Sequence, residues 1–319
     1  MVYFFIFIVS FIAVYLSTPS IRYAALRFAV LDKTNQRKIH TKVVAKLGGL
    51  AIYFGFLSGL AIAALLYTNF FIAHIFQIGG LVVCSTLILM LGVYDDFQGS
   101  GALIKFFVQI IIAAVLVKVG FRLERIFIPG IMDIKLGILG VPLTILWLVG
   151  MTNAVNLIDG LDGLAAGVIS VVSFFFFLYG ALLGEPFVML ISLALLGANL
   201  AFLRYNFYPA KIFMGDTGSL FLGFIIGSLA IYRSSGGISD NVLFIPSCVL
   251  LFFPILDTSL AIIRRVARRR HVFKSDFSHI HHYYVKLGFS HTETVKRFYA
   301  MTFFLGIASL SIIYAYIAY

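Results

Sequence analysis

Ten stretches of this chain run almost free of charge for close to the length that crosses a lipid bilayer: 2–17, 48–67, 79–94, 103–119, 138–154, 163–182, 187–203, 217–232, 242–263 and 297–318. A spanning helix needs about 20 mostly apolar residues, within a range of roughly 17 to 25. Composition agrees. Only 12% of the residues are charged and 61% are hydrophobic, where charged residues make up about a quarter of a soluble domain. No compact soluble fold of 319 residues hides so much apolar surface from water. The expectation is an all-α membrane protein of about ten transmembrane helices, forming one polytopic domain over 1–319. The first stretch has no Lys or Arg ahead of it and no small-residue cleavage site after it, so it reads as a retained span and not a signal peptide. Cys84 and Cys248 both fall inside apolar runs and read as buried thiols without a disulfide. Segment 121–137, with Ile128, Pro129, Gly130 and Ile131, is either a short external β-hairpin or a plain connector.

The basic residues orient the bundle. With ten spans, the loops fall into two sets, one holding nineteen of the lysines and arginines and the other only Lys118, Arg122, Arg125, Lys135 and Arg233. Basic residues collect on the cytoplasmic side, so the richer set is expected there and both termini outside. That set includes the His/Arg-rich loop 264–296. The net charge of +11 points to an anionic partner, which for a membrane chain means phosphate-rich lipid or substrate and not nucleic acid.

Four acidic motifs fall on the same expected face as most of the bases. Asp95-Asp96 close the third stretch, where they are either a solvated helix end or hard oxygen ligands that point about 100° apart on a helix. Asn153-Ala-Val-Asn156-Leu-Ile-Asp159-Gly-Leu-Asp162-Gly163 follows the fifth. Steps of three residues keep Asn153, Asn156 and Asp159 on one helical face, and Asp162 joins them only if the helix breaks near Gly160. Phe213-Met-Gly-Asp216-Thr217-Gly-Ser219 opens the eighth stretch. There Asp216 is a natural N-cap, a role Thr217 or Ser219 could share, or a carboxylate held at a helix start beside phosphate or metal. The loop before the last stretch carries Asp276 and His279-Ile-His281-His282. No further Cys or His stands at zinc-site spacing. These imidazoles, beside Arg264, Arg265 and Arg268, suit phosphate contact or are merely solvated. Arg269 and Arg270 read as headgroup anchors. Ionisable groups at membrane spans are costly and therefore functional by default. Gathered on one face with the bases, they describe a cytoplasmic-face site for a metal ion and phosphates.

Taken together, the motifs resemble the polyprenyl-phosphate N-acetylhexosamine-1-phosphate transferases, the family of WecA, TagO and MraY, in content and order along nearly the whole chain. Asp95-Asp96 resemble its aspartate pair, and Lys105 with Gln109 its Lys-Phe-x-x-Gln. The run Asn153 to Gly163 resembles its Asn-x-x-Asn-x-x-Asp-Gly-x-Asp-Gly signature, and Asn206 through Asp216 its Asn-Phe-x-Pro…Phe-Met-Gly-Asp stretch. Phe273-Lys-Ser-Asp276-Phe-Ser-His279-Ile-His281-His282 is similar to the loop of the N-acetylglucosamine enzymes, whereas the MraY type carries three consecutive histidines. The segment before Gly48-Gly49 departs from the family, reading Lys42-Val-Val-Ala-Lys46 where prolines are common.

The resemblance implies transfer of N-acetylglucosamine-1-phosphate from UDP-N-acetylglucosamine to undecaprenyl or another polyprenyl phosphate, with release of UMP. The product would be the first lipid-linked intermediate of a cell-envelope glycopolymer, made at the cell (inner) membrane. It implies Mg²⁺ as cofactor, with Mn²⁺ as an alternative. Asp216 is the first choice for metal ligand, with Asp96 or Asp159 assisting. Asp95, Asp96 and Asp159 form the catalytic set, Asp95 orienting or deprotonating the lipid phosphate. Asn153, Asn156, Asp162, Asn206, Phe213, Arg265, His279, His281 and His282 are assigned to the nucleotide sugar, and Lys105, Lys46 and Lys42 to the lipid phosphate. Direct transfer and a route through an aspartyl-phosphate both remain open, as do a homodimer and other UDP-N-acetylhexosamines, including UDP-N-acetylmuramoyl-pentapeptide. The non-enzymatic rival is a secondary transporter, which would place its ionisable groups near the membrane midplane and often show inverted repeats. Here the carboxylates lie at the ends of stretches, with Asp257 the single exception, and no repeat is visible.

Overall fold

A computed structural model describes residues 1–32, 44–233, 241–268 and 280–318, apart from the side chains of His281 and His282. Lys42 and His279 lie outside the described residues. The helices are α1 (Val2–Arg27), α2 (Gly48–Leu66), α3 (Thr68–Ala73), α4 (Ile75–Gln98), α5 (Ala102–Lys118), α6 (Gly140–Ile158), α7 (Leu164–Leu183), α8 (Pro186–Asn206), α9 (Gly215–Ala230), α10 (Phe244–Leu250), α11 (Phe252–Ala267), α12 (Ile280–Lys286) and α13 (His291–Ala318). Two antiparallel pairs complete the described residues, β1 (Leu31–Asp32) with β2 (Val44–Ala45), and β3 (Arg125–Ile128) with β4 (Met132–Lys135).

Each of the ten apolar stretches falls on helix. Among the described residues seven helices are long and apolar enough to cross a membrane: α1, α2, α4, α6 with its preceding 3-10 turn, α7, α8 and α13. The consecutive pair α10 and α11 makes an eighth if counted as one span, bent by 73°. Helices α5 and α9, with 17 and 16 residues, are shorter. Large apolar side chains such as Phe4, Leu16, Phe76, Ile111 and Phe304 are exposed on the outer faces, as a lipid-solvated surface requires and water would penalise. The chain is a multi-pass, all-α membrane protein.

The single run expected over 242–263 is two helices. Pro254 lies just after the break; it has no N–H to donate to the Leu250 carbonyl, and its ring crowds that group, so a straight helix cannot pass through. The segment 121–137 is a hairpin with an anchored base. Asn241, at φ +58°, accepts from the Glu124 and Arg125 amides at 2.6 and 3.3 Å and donates to the Arg122 and Ile231 carbonyls at 3.0 and 2.7 Å. Tyr316 of α13 donates to the Phe127 carbonyl. Cys84 is buried and Cys248 half-buried, both as free thiols.

Helix α9 is the centre of the bundle. Every residue from Thr217 to Ala230 is buried, with α2, α4 and α6 packed around it. A helix apolar on all sides belongs in such a position. Its start lies against two glycines. A Cβ on Gly92 of α4 would stand 2.5 Å from the Asp216 carbonyl, and one on Gly49 of α2 would stand 2.1 Å from the Gly218 nitrogen. Small residues let helix backbones approach where lipid supplies no hydrophobic drive. Gly92→Val should therefore lower the thermal melting point of the detergent-purified protein, at a cost of about 1–3 kcal/mol for overpacking. Gly150→Ala, where an added Cβ meets nothing within 4 Å, should leave it unchanged.

Candidate active site

At one end of the bundle the chain brings together the last turn of α4, the first turn of α5, the end of α6, the end of α8 and the start of α9. The organising contact runs between α4 and α9. Asp96 accepts from the Asp216 amide at 3.2 Å with Oδ1, and from the Thr217 amide and hydroxyl at 3.0 and 2.7 Å with Oδ2. The first N–H groups of a helix have no partner within it, and a carboxylate there is favoured by the helix dipole. Of the two readings of Asp216 from the sequence, the N-cap shared with Thr217 or Ser219 is not what the structure shows. Instead the cap comes from Asp96, 120 residues away, because the carboxylate of Asp216 is turned to other partners. Gly215, at φ +69°, makes this approach feasible, since a Cβ there would stand 2.2 Å from Asp96 Oδ2. Lys46 Nζ lies 3.6 Å from Asp96 Oδ1 and 3.6 Å from Asp32. Burial works to lower the pKa of the Lys46 ammonium, but Asp96, Asp32 and Asp216 outweigh it and hold it above its ordinary value.

Around this cap the remaining groups converge. Lys105 Nζ sits 2.7 Å from Asp216 Oδ2 and 3.1 Å from Asp95 Oδ2. Asp95 Oδ1 accepts from the Ser100 amide and hydroxyl at 2.7 and 2.5 Å. Asn156 Nδ2 donates to Asp216 Oδ1 at 3.0 Å and to Ser219 Oγ at 2.8 Å. One turn deeper, Asn153 Nδ2 donates to Gln109 Oε1 at 2.6 Å. The helical register expected for Asn153 and Asn156 therefore holds, and α6 stops at Ile158, close to the expected break. Asp159 stands just past that end. No hydrogen bond to its carboxylate occurs among the described residues. Burial, then the negative charges of Asp216, Asp96 and Asp162, push its pKa well above the usual carboxylate range.

Asp162 and Asn206 each hold backbone near the site. Asp162 Oδ2 accepts from the Ala210 amide at 2.9 Å. Asn206 accepts from the Gly163 amide at 3.1 Å and donates to the Ile212 carbonyl at 3.0 Å. Both side chains tie the loop after α6 to the loop after α8, beneath the carboxylates. Phe213, half-buried, is fixed by its backbone. Its amide donates to the Ala45 carbonyl at 2.8 Å, and its carbonyl accepts from the Gly48 amide at 2.9 Å. Arg265 is half-buried in the last turn of α11. In α12, which carries His281 and His282, the Ile280 amide donates to Asp257 of α11 at 2.8 Å.

Sequence reasoning passed over several members of this assembly. Ser100 and Asp32 carry no motif signal of their own. Tyr299 of α13 donates to the Gly163 carbonyl at 2.5 Å, and His291 approaches the Asp162 carbonyl at 3.4 Å while stacking on Tyr208. Spacing within the sequence could not have found either, because both act on backbone far away in the chain.

Among the described residues no group of three His, Cys, Asp or Glu side chains forms a ready-made metal cage. The donor chemistry nevertheless fits a hard divalent cation, which takes carboxylate oxygens. Asp95, Asp159 and Asp216 offer them, and the raised Asp159 carboxyl is the one a cation would relieve.

Two outcomes check this geometry. Asp96→Ala should lower the melting point by the equivalent of about 1–3 kcal/mol, since three donors and Lys46 lose their acceptor, while Asp159→Asn should not. In the presence of a chelator, the stability that Asp159 contributes is complete below its unfolded pKa, about pH 4. It is lost as pH rises through the raised folded value. A melting-point series against pH should fall over that window in the wild type, and less steeply in Asp159→Asn.

Comparison with known proteins places this arrangement. A family model described as glycosyl transferase family 4 matches residues 78–234, the segment holding Asp95, Lys105, Asp159 and Asp216. The chain is 38% identical over 306 residues to a probable undecaprenyl-phosphate N-acetylglucosaminyl 1-phosphate transferase of Bacillus subtilis, covering 95% of this chain and 83% of the relative. It is 34% identical over 327 residues to a decaprenyl-phosphate N-acetylglucosaminephosphotransferase of Mycolicibacterium smegmatis, covering 95% and 80%. Likeness to the phospho-N-acetylmuramoyl-pentapeptide-transferase of Clostridioides difficile, at 34% identity, covers 56% of the chain and 53% of the relative. This chain therefore belongs to glycosyl transferase family 4, as a membrane-embedded polyprenyl-phosphate N-acetylhexosamine-1-phosphate transferase on the WecA/TagO-like side of that family.

Proposed function

We propose that the protein transfers N-acetylglucosamine-1-phosphate from UDP-N-acetylglucosamine to a polyprenyl phosphate. A lipid phosphate oxygen attacks the phosphorus attached to the sugar. The bond from that phosphorus to the bridging oxygen breaks, and UMP leaves with the bridging oxygen. The observation that carries the reading is the meeting of Asp95, Lys105 and Asp216 at one end of the bundle, beside an Asp159 that no described hydrogen bond engages.

Phosphoryl transfer is accomplished mainly by positioning and charge neutralisation, and these residues suit both. Asp216, Asp159 and Asp95 would hold Mg²⁺, which neutralises charge on the phosphate oxygens when bound. Lys105 and Lys46 face the anionic lipid head. Asp95 orients that head, and little deprotonation is asked of it, because a phosphate monoester with its second pKa near 6 is largely ionised at neutral pH. Asn156 fixes the Asp216 carboxylate, and the Asp162–Ala210 and Asn206–Gly163 bonds hold the two loops that flank it. Placement of the site at the cytoplasmic face of the cell membrane, with both termini outside, is supported by the nineteen-to-five division of basic residues.

The lipid substrate finds support in an apolar cavity of about 410 Å³ between α6 and the bent α10–α11 pair, lined by Leu146, Trp147, Gly150, Ala154, Ile255 and Ile262 among others. Its walls match a hydrocarbon chain.

The test is UMP release by the purified protein. Release should need UDP-N-acetylglucosamine, a polyprenyl phosphate and a divalent cation together, and a panel of other UDP-sugars should give slower turnover. Asp216→Asn and Asp95→Asn should each cut kcat by at least about a hundredfold, the scale of losing one electrostatic stabiliser, without loss of folded protein. Gly150→Leu, which projects into the cavity, should raise KM for a long-chain polyprenyl phosphate several-fold while leaving KM for the UDP-sugar unchanged.

A further inference from the structure

Lys105 reaches from the first turn of α5 to the two carboxylates on which the reaction is proposed to depend. Its Nζ is 2.7 Å from Asp216 Oδ2 and 3.1 Å from Asp95 Oδ2. The other oxygen of each carboxylate is already engaged, Asp216 Oδ1 by Asn156 and Asp95 Oδ1 by Ser100. One ammonium thus bridges the two oxygens that remain to face each other. A hard divalent cation would need those same oxygens, since Mg²⁺ binds carboxylate at about 2.0–2.1 Å. An ammonium and a divalent cation on the same oxygens repel each other, so occupancy by one weakens the hold of the other.

We propose that Lys105 is a built-in counter-ion, displaced from Asp216 and Asp95 when a divalent cation binds and thereby handed to the lipid phosphate. The inference rests on the transferase reading and adds to it an order of events. Charge supports the exchange. Among the described residues Lys46 lies within 4 Å of Asp96 and Asp32, and Lys105 within 4 Å of Asp95 and Asp216, so the carboxylates here outnumber the ammonium groups beside them. A divalent cation completes the neutralisation and leaves the ammonium available to an incoming phosphate. The chemistry of lysine suits the task, as a point charge on a flexible four-carbon stem that makes no forked, fixed contact. The Lys105 side chain keeps 20% of its surface exposed, so it has room to swing. By linkage, if the cation frees Lys105 for phosphate, phosphate must tighten the binding of cation by the same factor.

The experiment measures Mn²⁺ binding to the purified full-length protein in detergent by electron paramagnetic resonance, with and without undecaprenyl phosphate. Without lipid, Lys105→Met should bind Mn²⁺ about tenfold more tightly than wild type, within the usual 5- to 150-fold range of coupling. Lys105→Arg should bind it more weakly, because a planar fork holds both carboxylates and resists displacement. Undecaprenyl phosphate should tighten Mn²⁺ binding to wild type but not to Lys105→Met. Equal or weaker binding by Lys105→Met, equal lipid enhancement in both proteins, or no Mn²⁺ binding by wild type would overturn the proposal. Should Lys105→Met fail to fold, Lys105→Arg decides alone, and unchanged affinity there would also overturn it. The two readings fail separately. Coupled binding without UMP release from any UDP-sugar would remove the transferase assignment, whereas UMP release with Mn²⁺ affinity indifferent to Lys105 would remove only the exchange.

Discussion

The start of α9 is the point on which the rest of the molecule depends. A helix that begins within a membrane protein exposes backbone N–H groups that lipid cannot satisfy, and α9 is buried along almost its whole length. Asp96 resolves that by lending a carboxylate from α4. The same bonds clamp α4 to α9 and so set Asp95, the next residue, beside Asp216. A structural requirement of the bundle and the geometry of the site are met by one side chain. Lys46 then balances the buried charge, which draws the start of α2 into the same corner.

A second consequence concerns division of labour among the polar residues. Motif residues are usually thought of as contacting substrate, yet Asp162, Asn206 and Asp96 spend hydrogen bonds on backbone. They form a frame. Asp95, Lys105, Asn156, Asp159 and Asp216 form the polar cluster inside it, where carboxylates are crowded together. Rigid frames of this sort keep charged groups in place without reorganisation during reaction, which is where electrostatic catalysis gains its effect.

Much of this was legible in the residues. The apolar runs located the helices because hydrocarbon tolerates few alternatives, and the three-residue spacing of Asn153, Asn156 and Asp159 forecast a shared face. The bend between α10 and α11 was hidden, since apolarity runs across it without interruption and Pro254 alone does not announce a 73° turn. The capping of α9 by Asp96 was equally hidden, for a helix start shows its local candidates and not an acceptor 120 residues distant. Lys105 could be recognised as a basic residue near acids, but its position between two particular carboxylate oxygens is a property of folded geometry.

The break between α10 and α11 has a bearing on how a very hydrophobic substrate could be handled. A straight helix at that position would close the wall beside α6 like a stave in a barrel. An apolar recess lies between α6 and this angled pair, with walls that would suit part of a long hydrocarbon tail. A tail held against such a wall would stay out of water, where exposing it costs free energy with every methylene moved.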